Sequence, residues 1–362
     1  MNFSTKSREH MDSCRFCWMC RHICPIGNAT GQERNTARAR GMILALVARE
    51  GVEYSEDIVN NVYECALCGA CVKECVTGWD PVMFTKEARL AAALEGKLPA
   101  YIEKMLDNYE SKGNVYGLDK DAELEKAISG LGKSDTLLLL GRDAAYVTPK
   151  NAIEAIELLK KAGVDFTVLS DEPDSGYDME FLIGAADETK KITEATAKTL
   201  SEYKKVVCYD PADAAMLMRE YKEWGVDVKA EVVTFTAFLA DLIVNGTIKV
   251  KNSGKAYTFQ DPASLARDLE ETVPAREILS ACGTVNEMLL NGKDTMLAGN
   301  LIMNEYMSDV MKEVANNRWR DALNMNAQIV VTASPAEYAI MSSVKPENAE
   351  IMTIEEVISQ CL

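Results

Sequence analysis

The chain has 362 residues, 48% hydrophobic and 26% charged, which is room for two or three domains and a sizeable core. Its formal net charge is -17, and the excess lies late: residues 1–100 carry twelve basic and twelve acidic side chains, residues 101–362 carry 27 and 44. An acidic chain without a basic stripe argues against nucleic acid and anionic membrane surfaces as partners.

The start, "MNFSTKSREHMDS", has no apolar core and does not read as a signal peptide. No apolar run reaches the roughly 18 residues of a membrane span. A cytoplasmic location is therefore expected, with peripheral membrane association only through partners. In a reducing compartment, eleven cysteines point to metal or redox chemistry rather than disulfides.

The first cysteines, Cys14, Cys17, Cys20 and Cys24 followed by Pro25, read C-x2-C-x2-C-x3-C-P. A second run, Cys65, Cys68, Cys71 and Cys75, repeats the spacing 51 residues later. This is the bacterial ferredoxin spacing for [4Fe–4S] clusters. Two-residue gaps let a tight loop set three thiolates around one face of a cubane, and the three-residue gap sends the fourth to the other cluster. The expected ligands are Cys14, Cys17, Cys20 and Cys75 for one cluster, and Cys65, Cys68, Cys71 and Cys24 for the other. Structural zinc takes paired knuckles, often with histidine, and suits triplet-plus-one runs and two histidines poorly. His22 is expected beside the site or on the surface. Arg15 and Arg21 lie within the first run, whereas Glu64 and Glu74 bracket the second beside Lys73. Positive charge favours a reduced cluster, so the first run is expected at the higher potential.

Between the runs, "ERNTARARGMILALVAREG" reads as a helix with Ala39, Met42, Ile43, Leu46 and Val47 on its buried face. Arg34 and Arg38 lie one turn apart on another face, as a solvated surface or a docking patch.

The two runs, with "TARARG" between them and Glu87–Arg89 ("EAR") after them, resemble the iron–sulfur subunits of glycolate oxidase, lactate utilisation complexes, anaerobic glycerol-3-phosphate dehydrogenase and heterodisulfide reductase. The resemblance implies a helical two-cluster domain followed by paired cysteine-rich domains. Val76 departs from it, standing where a proline is usual.

After a helical linker, an α/β pattern begins. "DTLLLL" reads as a buried strand, and "TPKNAIEAIELLKKAG" as a helix with Pro149 near its start and Gly163 as its cap. "VDFTVL" reads as the next strand, and "KKVVCYDPADAAMLMREY" as a strand running into a helix. "VVCYDPADAAML" (206–217) aligns without gaps to "VVTASPAEYAIM" (330–341), and Pro149 and Pro211 are spaced like Pro274 and Pro335. The fold class expected is therefore α/β: an N-terminal α-helical two-[4Fe–4S] ferredoxin-like domain (1–100), a helical linker (101–133), and a duplicated α/β domain with parallel strands (134–248 and 249–362).

In the family each half carries a CCG and a C-P-x-C motif, which hold a further cluster or redox site. Here Asp210-Pro211-Ala212-Asp213 and Ser334-Pro335-Ala336-Glu337 stand for C-P-x-C. Asp174-Ser175-Gly176 stands for the first CCG, Met296–Gly299 for the second, and Gln260-Asp261-Pro262-Ala263 for an H-D-P-C motif. The acids are expected as solvated loop carboxylates, with binding of a hard cation as the alternative. Cys208 and Cys282 are expected to be buried and inert, and Cys361 idle.

No catalytic residue is assigned: two histidines leave little room for a nucleophile–base pair, and no nucleotide-binding motif occurs. The resemblance implies an electron-transfer subunit carrying two [4Fe–4S] clusters. Its partners would be a flavoprotein dehydrogenase or reductase subunit, which holds the flavin, and a carrier: ferredoxin, electron-transfer flavoprotein or a quinone-linked protein. The alternatives are a heterodisulfide-reductase-like catalyst acting through the C-terminal domain, and a non-catalytic scaffold with structural clusters.

Overall fold

A computed structural model describes residue 1, residues 3–15 and residues 17–362. The chain forms two compact units that do not follow chain order. The first comprises Met1–Gly117 with Asp178–Lys190 and Ile302–Val314; the second comprises Leu118–Tyr177, Lys191–Leu301 and Ala315–Leu362.

The first unit is helical. Its helices start at side-chain caps: the Ser4 hydroxyl accepts from Ser7 N before Thr5–Asp12, and the Asp80 carboxylate accepts from Met83 N before Pro81–Leu94. The helix between the cysteine runs spans Ala37–Ala48, capped by Thr36. Its buried face differs from the expectation: Ala37, Arg40, Gly41, Leu44, Ala45, Val47 and Ala48 are buried, while Met42 and Leu46 are exposed. Close approach decides this. A Cβ on Gly41 would lie 2.8 Å from Trp79 Cη2 and 3.1 Å from Phe84 Cζ, so the seam takes small residues. Arg40 joins that face because carbonyl oxygens satisfy its guanidinium.

Segments from the later chain complete this unit. Arg89 Nη1 donates to the Phe181 carbonyl (2.6 Å), and the Tyr63 hydroxyl donates to the Leu182 carbonyl (2.8 Å). Tyr306 donates to the Tyr63 carbonyl (2.8 Å) and stacks on Tyr101 with ring centroids 4.7 Å apart. Nothing local in the sequence announces such partners.

The second unit holds two all-parallel sheets. The strands β1 (Thr136–Leu139), β2 (Lys205–Cys208) and β3 (Glu231–Thr234) pair in that order, with Leu139 opposite Cys208 and Cys208 opposite Thr234. The strands β4 (Ala256–Gln260), β5 (Thr284–Val285), β6 (Ile329–Thr332) and β7 (Glu350–Thr353) form the other sheet in the order β5-β4-β6-β7. Short runs such as TLLL and IVVT suit parallel strands covered on both faces. "VDFTVL" is not a strand along its length: Thr167 alone bridges Leu137. It holds the place against β1 that β5 holds against β4, but only Thr167 reaches the ladder, through Leu138 N to Thr167 O (2.8 Å) and Thr167 N to Thr136 O (2.9 Å).

The halves repeat one pattern. β1 leads through a π-turn at Asp143–Val147 into the helix Pro149–Lys161, and β4 leads through a π-turn at Ser264–Asp268 to the helix Pro274–Cys282. β2 and β6 run into helices starting at Pro211 and Pro335. Both halves contribute to one hydrophobic core, with Leu138 and Val207 of the first sheet and Phe259 and Val331 of the second. Cys208, Cys282 and Cys361 are buried, and Cys361 Sγ lies 3.7 Å from the Cys282 carbonyl oxygen. Among the described residues, no helix is long and apolar enough to cross a membrane.

Candidate functional site: the cysteine turns and their arginine supports

The two cysteine runs adopt one backbone. Trp18 (φ 71°, ψ -1°) caps the short helix Met19–His22, and Gly69 (φ 72°, ψ -3°) caps Ala70–Glu74 at the matching position. Cys24 (φ -75°, ψ 112°) and Cys75 (φ -78°, ψ 114°) match as well. A left-handed tryptophan carries a cost that glycine avoids, of about 1–2 kcal/mol. Two guanidinium groups hold its ring: Arg38 at 3.9 Å and Arg21 at 5.5 Å from the centroid.

Electrostatics shows which thiols are neighbours. Burial, then the charges of Cys14, Cys17 and Cys75, push the Cys20 thiol up to about 12. Burial, then Cys68, Cys65, Cys24 and, last, Cys20, push Cys71 well above the ordinary thiol range. Burial raises Cys24 too, opposed by the Arg40 guanidinium and by N–H groups of Gly27 and Ala37. Across the runs, Cys75 thus acts on Cys20 and Cys24 acts on Cys71, and Cys24 shares a cavity with Cys65, Cys68 and Cys71. Crowded thiolates repel one another unless a cation stands between them, and soft sulfur selects iron–sulfur clusters or zinc. The chemistry of the donor set, soft sulfur in two matched turns, suits iron–sulfur ligation. Cys17 is exposed, Cys24 and Cys71 are buried, and the other five are half-buried.

Hydrogen bonds steady the sulfurs. Trp79 N donates to Cys75 Sγ (3.3 Å), with Thr77 Oγ1 at 3.2 Å from the same atom. Cys24 Sγ lies 3.4 Å from the Asn35 carbonyl oxygen. His22 is exposed.

The motifs "TARARG" and "EAR" have a clear physical role. Arg40 donates to the carbonyls of Asn61 (2.9 Å), Glu64 (3.1 Å) and Asn35 (3.3 Å). Arg89 donates to the carbonyls of Cys65 (2.6 Å), Val62 (3.2 Å) and Phe181 (2.6 Å), between the rings of Tyr63 and Phe181. Both are buried, so two planar donor groups clamp the backbone entering the second run. The motifs contain both residues without disclosing this work; an arginine among small helix residues is the signal for it. The docking patch of Arg34 and Arg38 is not free. Arg34 pairs with Asp57 (3.2 Å) and Glu64 (3.4 Å), and Arg38 pairs with Glu33 (3.3 Å) while stacking on Trp18.

The lost-thiol positions of the second unit also converge, but into internal networks. Ser175 donates to Asp213, Tyr221 donates to the Ser175 carbonyl (2.9 Å), and Asp210 caps its own helix through Ala212 N (2.9 Å). In the other half Glu337 accepts from Gln260 Nε2 (3.0 Å), Ala298 N (3.3 Å) and Thr332 Oγ1 (3.1 Å), and Arg318 donates to Gln260. Asp261 takes a bidentate grip from Arg276 (2.7 and 2.9 Å). The expectation of solvated carboxylates is therefore corrected: Asp210, Asp213, Asp261 and Glu337 are all buried. Asp210 and Asp261 stand just past the ends of β2 and β4, and Asp213 and Glu337 lie in the first turns of the helices that follow β2 and β6. Burial pushes Asp213 up to about 8 and Glu337 up to about 7.

Residues 10–79 match the 4Fe-4S dicluster domain family. Over 92% of its length the chain is 24% identical to a dihydromethanophenazine:CoB--CoM heterodisulfide reductase subunit of Methanosarcina acetivorans, covering 89% of that protein. It is 24% identical over 97% of its length to a probable membrane-anchored ferredoxin of Chromohalobacter salexigens, of which it spans 60%. The crystal structure of a hypothetical protein from Helicobacter pylori shares the fold at a TM-score of 0.58 and 10% identity, over 99% of this chain and 73% of that one. With its paired cysteine turns and these matches, the chain carries a 4Fe-4S dicluster-type segment at residues 10–79 and is similar along most of its length to that heterodisulfide reductase subunit.

Proposed function

We propose that the chain is the iron–sulfur subunit of a flavin-dependent oxidoreductase complex. Cys14, Cys17, Cys20 and Cys75 hold one [4Fe–4S] cluster, and Cys65, Cys68, Cys71 and Cys24 hold the other. The flavin resides in a partner subunit, and the clusters relay single electrons between it and a carrier. The observation that supports this reading is that thiols of the two runs stand near one another: Cys75 acts on Cys20, and Cys24 shares a cavity with Cys65, Cys68 and Cys71. The acidic α/β halves, 134–248 and 249–362, suit a docking platform for a partner with a basic face.

Catalysis by the C-terminal halves, as in a disulfide reductase, is the weaker reading. Hydrogen bonds from the chain itself engage Asp213 and Glu337, which stand at the last cysteine of each lost C-P-x-C.

The test is anaerobic purification of the full chain. About eight iron atoms per chain, four per cubane, and reversible reduction by dithionite are expected. A flavin-containing protein that co-purifies should reduce the clusters when given its own substrate. A chain that alone turns over a disulfide substrate would replace this reading with the reductase.

A further inference from the structure

Arg40 is 2% exposed and lines the cavity shared by Cys24, Cys65, Cys68 and Cys71. Its hydrogen bonds go to carbonyl oxygens of Asn61, Glu64 and Asn35. The nearby carboxylate of Glu64 is turned elsewhere, taking Asn35 Nδ2, Asn61 Nδ2 (2.8 Å) and Arg34 Nη2 (3.4 Å). A buried guanidinium thus meets backbone dipoles where a buried cation ordinarily needs an anion. Four thiolates around the same cavity supply one.

Resting on the ligation proposed above, we propose that Arg40 is the internal counter-charge of the Cys24, Cys65, Cys68 and Cys71 set. As a positioning residue it holds that site at a higher reduction potential than the Cys14, Cys17, Cys20 and Cys75 set. It also helps retain the iron. One electron taken up by either site adds one negative charge, and no proton need accompany it. A fixed positive charge on the cavity wall favours that product over its precursor.

This reverses the order expected from Arg15 and Arg21. Arg15 is exposed and bonds to the carbonyls of Asp12 (3.0 Å) and Cys14 (3.3 Å). Arg21 is exposed and paired with Glu33 at 2.7 Å. Water and salt screen such charges, whereas nothing comparable screens Arg40. Burial of the second set acts in the opposite sense, since it penalises added charge. Arg40 is the compensation.

The experiment uses the full chain, loaded anaerobically, in an EPR-monitored redox titration. Cys68→Ser identifies the signal of the second set. In the unmodified chain that signal should titrate above the other. Arg40→Gln should lower its midpoint by a tenfold change in the one-electron equilibrium or more, about 59 mV, and leave the first set in place. A chelator should strip second-set iron faster from Arg40→Gln. Arg40→Lys keeps the charge and should keep the midpoint; Arg15→Gln should move neither signal as far. The proposal fails if Arg40→Gln loads fully with an unshifted midpoint. It also fails if Arg40→Lys shifts as far as Arg40→Gln, since the shape of the side chain and not its charge would then matter. Should Arg40→Gln fail to load, Arg40→Lys decides in the same way. A second set that binds no iron in the unmodified chain sinks the ligation itself, before any variant is made.

Discussion

The turn at Cys24-Pro25 and the turns at Asp210-Pro211 and Ser334-Pro335 are built alike. In each, an extended residue caps a helix whose first position is proline. They differ in what the cap and its neighbours do. Around Cys24 the sulfurs crowd against other sulfurs, an arrangement that a shared cation completes. At Asp210 and Ser334 the cap oxygens accept N–H groups of their own helices, and the acids three residues on accept from Ser175 or from Gln260 and Thr332. The same local device gathers thiols around one cavity in the first unit. In the second it ties carboxylates into internal hydrogen-bond networks that serve stability.

The sharpest way to break this contrast is at the thiols. Cys75→Ala should remove about half the iron and the signal of the Cys14, Cys17 and Cys20 set, read by iron assay and EPR. If the signal of the Cys65, Cys68 and Cys71 set disappears instead, the exchange of fourth cysteines is wrong.

On the other side, Glu337→Ala removes the acceptor of Ala298 N and Thr332 Oγ1 in the core, while Gln260 Nε2 keeps the Asp261 and Met296 carbonyls. It should cost about 3–5 kcal/mol in denaturant unfolding, with iron content unchanged in the folded fraction. A loss below about 1 kcal/mol would show that the network is not structural.

Gly41→Ala should cost about 1–3 kcal/mol by overpacking against Trp79 and Phe84. Because Trp79 N donates to Cys75 Sγ, the same variant should speed iron loss to a chelator. Equal rates for the variant and the parent would separate the packing seam from the cysteine turn.

The smallest effect is a pH dependence of stability. Asp213, beside Ser175, Asp174, Glu172 and Asp143, is raised by burial to about 8. Glu337, beside Gln260, Ala298, Thr332 and Arg318, and Glu355, beside Tyr209, Thr353 and Glu356, are each raised to about 7. Raised carboxyls bind protons more tightly folded than unfolded. Their stabilising contribution is therefore complete below their ordinary values, near 4, and is lost as pH rises to about 8. Melting temperature should fall over that range, and fall less in Asp213→Asn with Glu337→Gln. A melting temperature that rises with pH through this window would refute the assignment.

Much of the first unit was legible because thiolate chemistry forces both residue type and spacing. Cys-x2-Cys-x2-Cys cannot be read as packing, and the matched left-handed positions at Trp18 and Gly69 show the same turn made twice. The α/β alternation and the repeat around Pro211 and Pro335 were legible because strand ends and helix starts are local events. The buried face of Ala37–Ala48 was not. Hydrophobicity pointed to Met42 and Leu46, but the close approach of Trp79 and Phe84 at Gly41 turns that side of the helix inward and leaves Met42 and Leu46 exposed. "VDFTVL" had the composition of a strand and lacked the pairing partners of one.

The sequence by itself determined the cofactor chemistry, the class of fold and the places where thiols had been replaced, since each follows from residue identity or short spacing. Only the tertiary structure decided what surrounds them. It buries the replacing acids at strand ends, recruits residues 178–190 and 302–314 into the first unit, and sets Arg40 against the second set of thiols. The reason is physical. Burial and the pairing of a charge depend on atoms supplied by distant segments, and no local pattern records which segments those are.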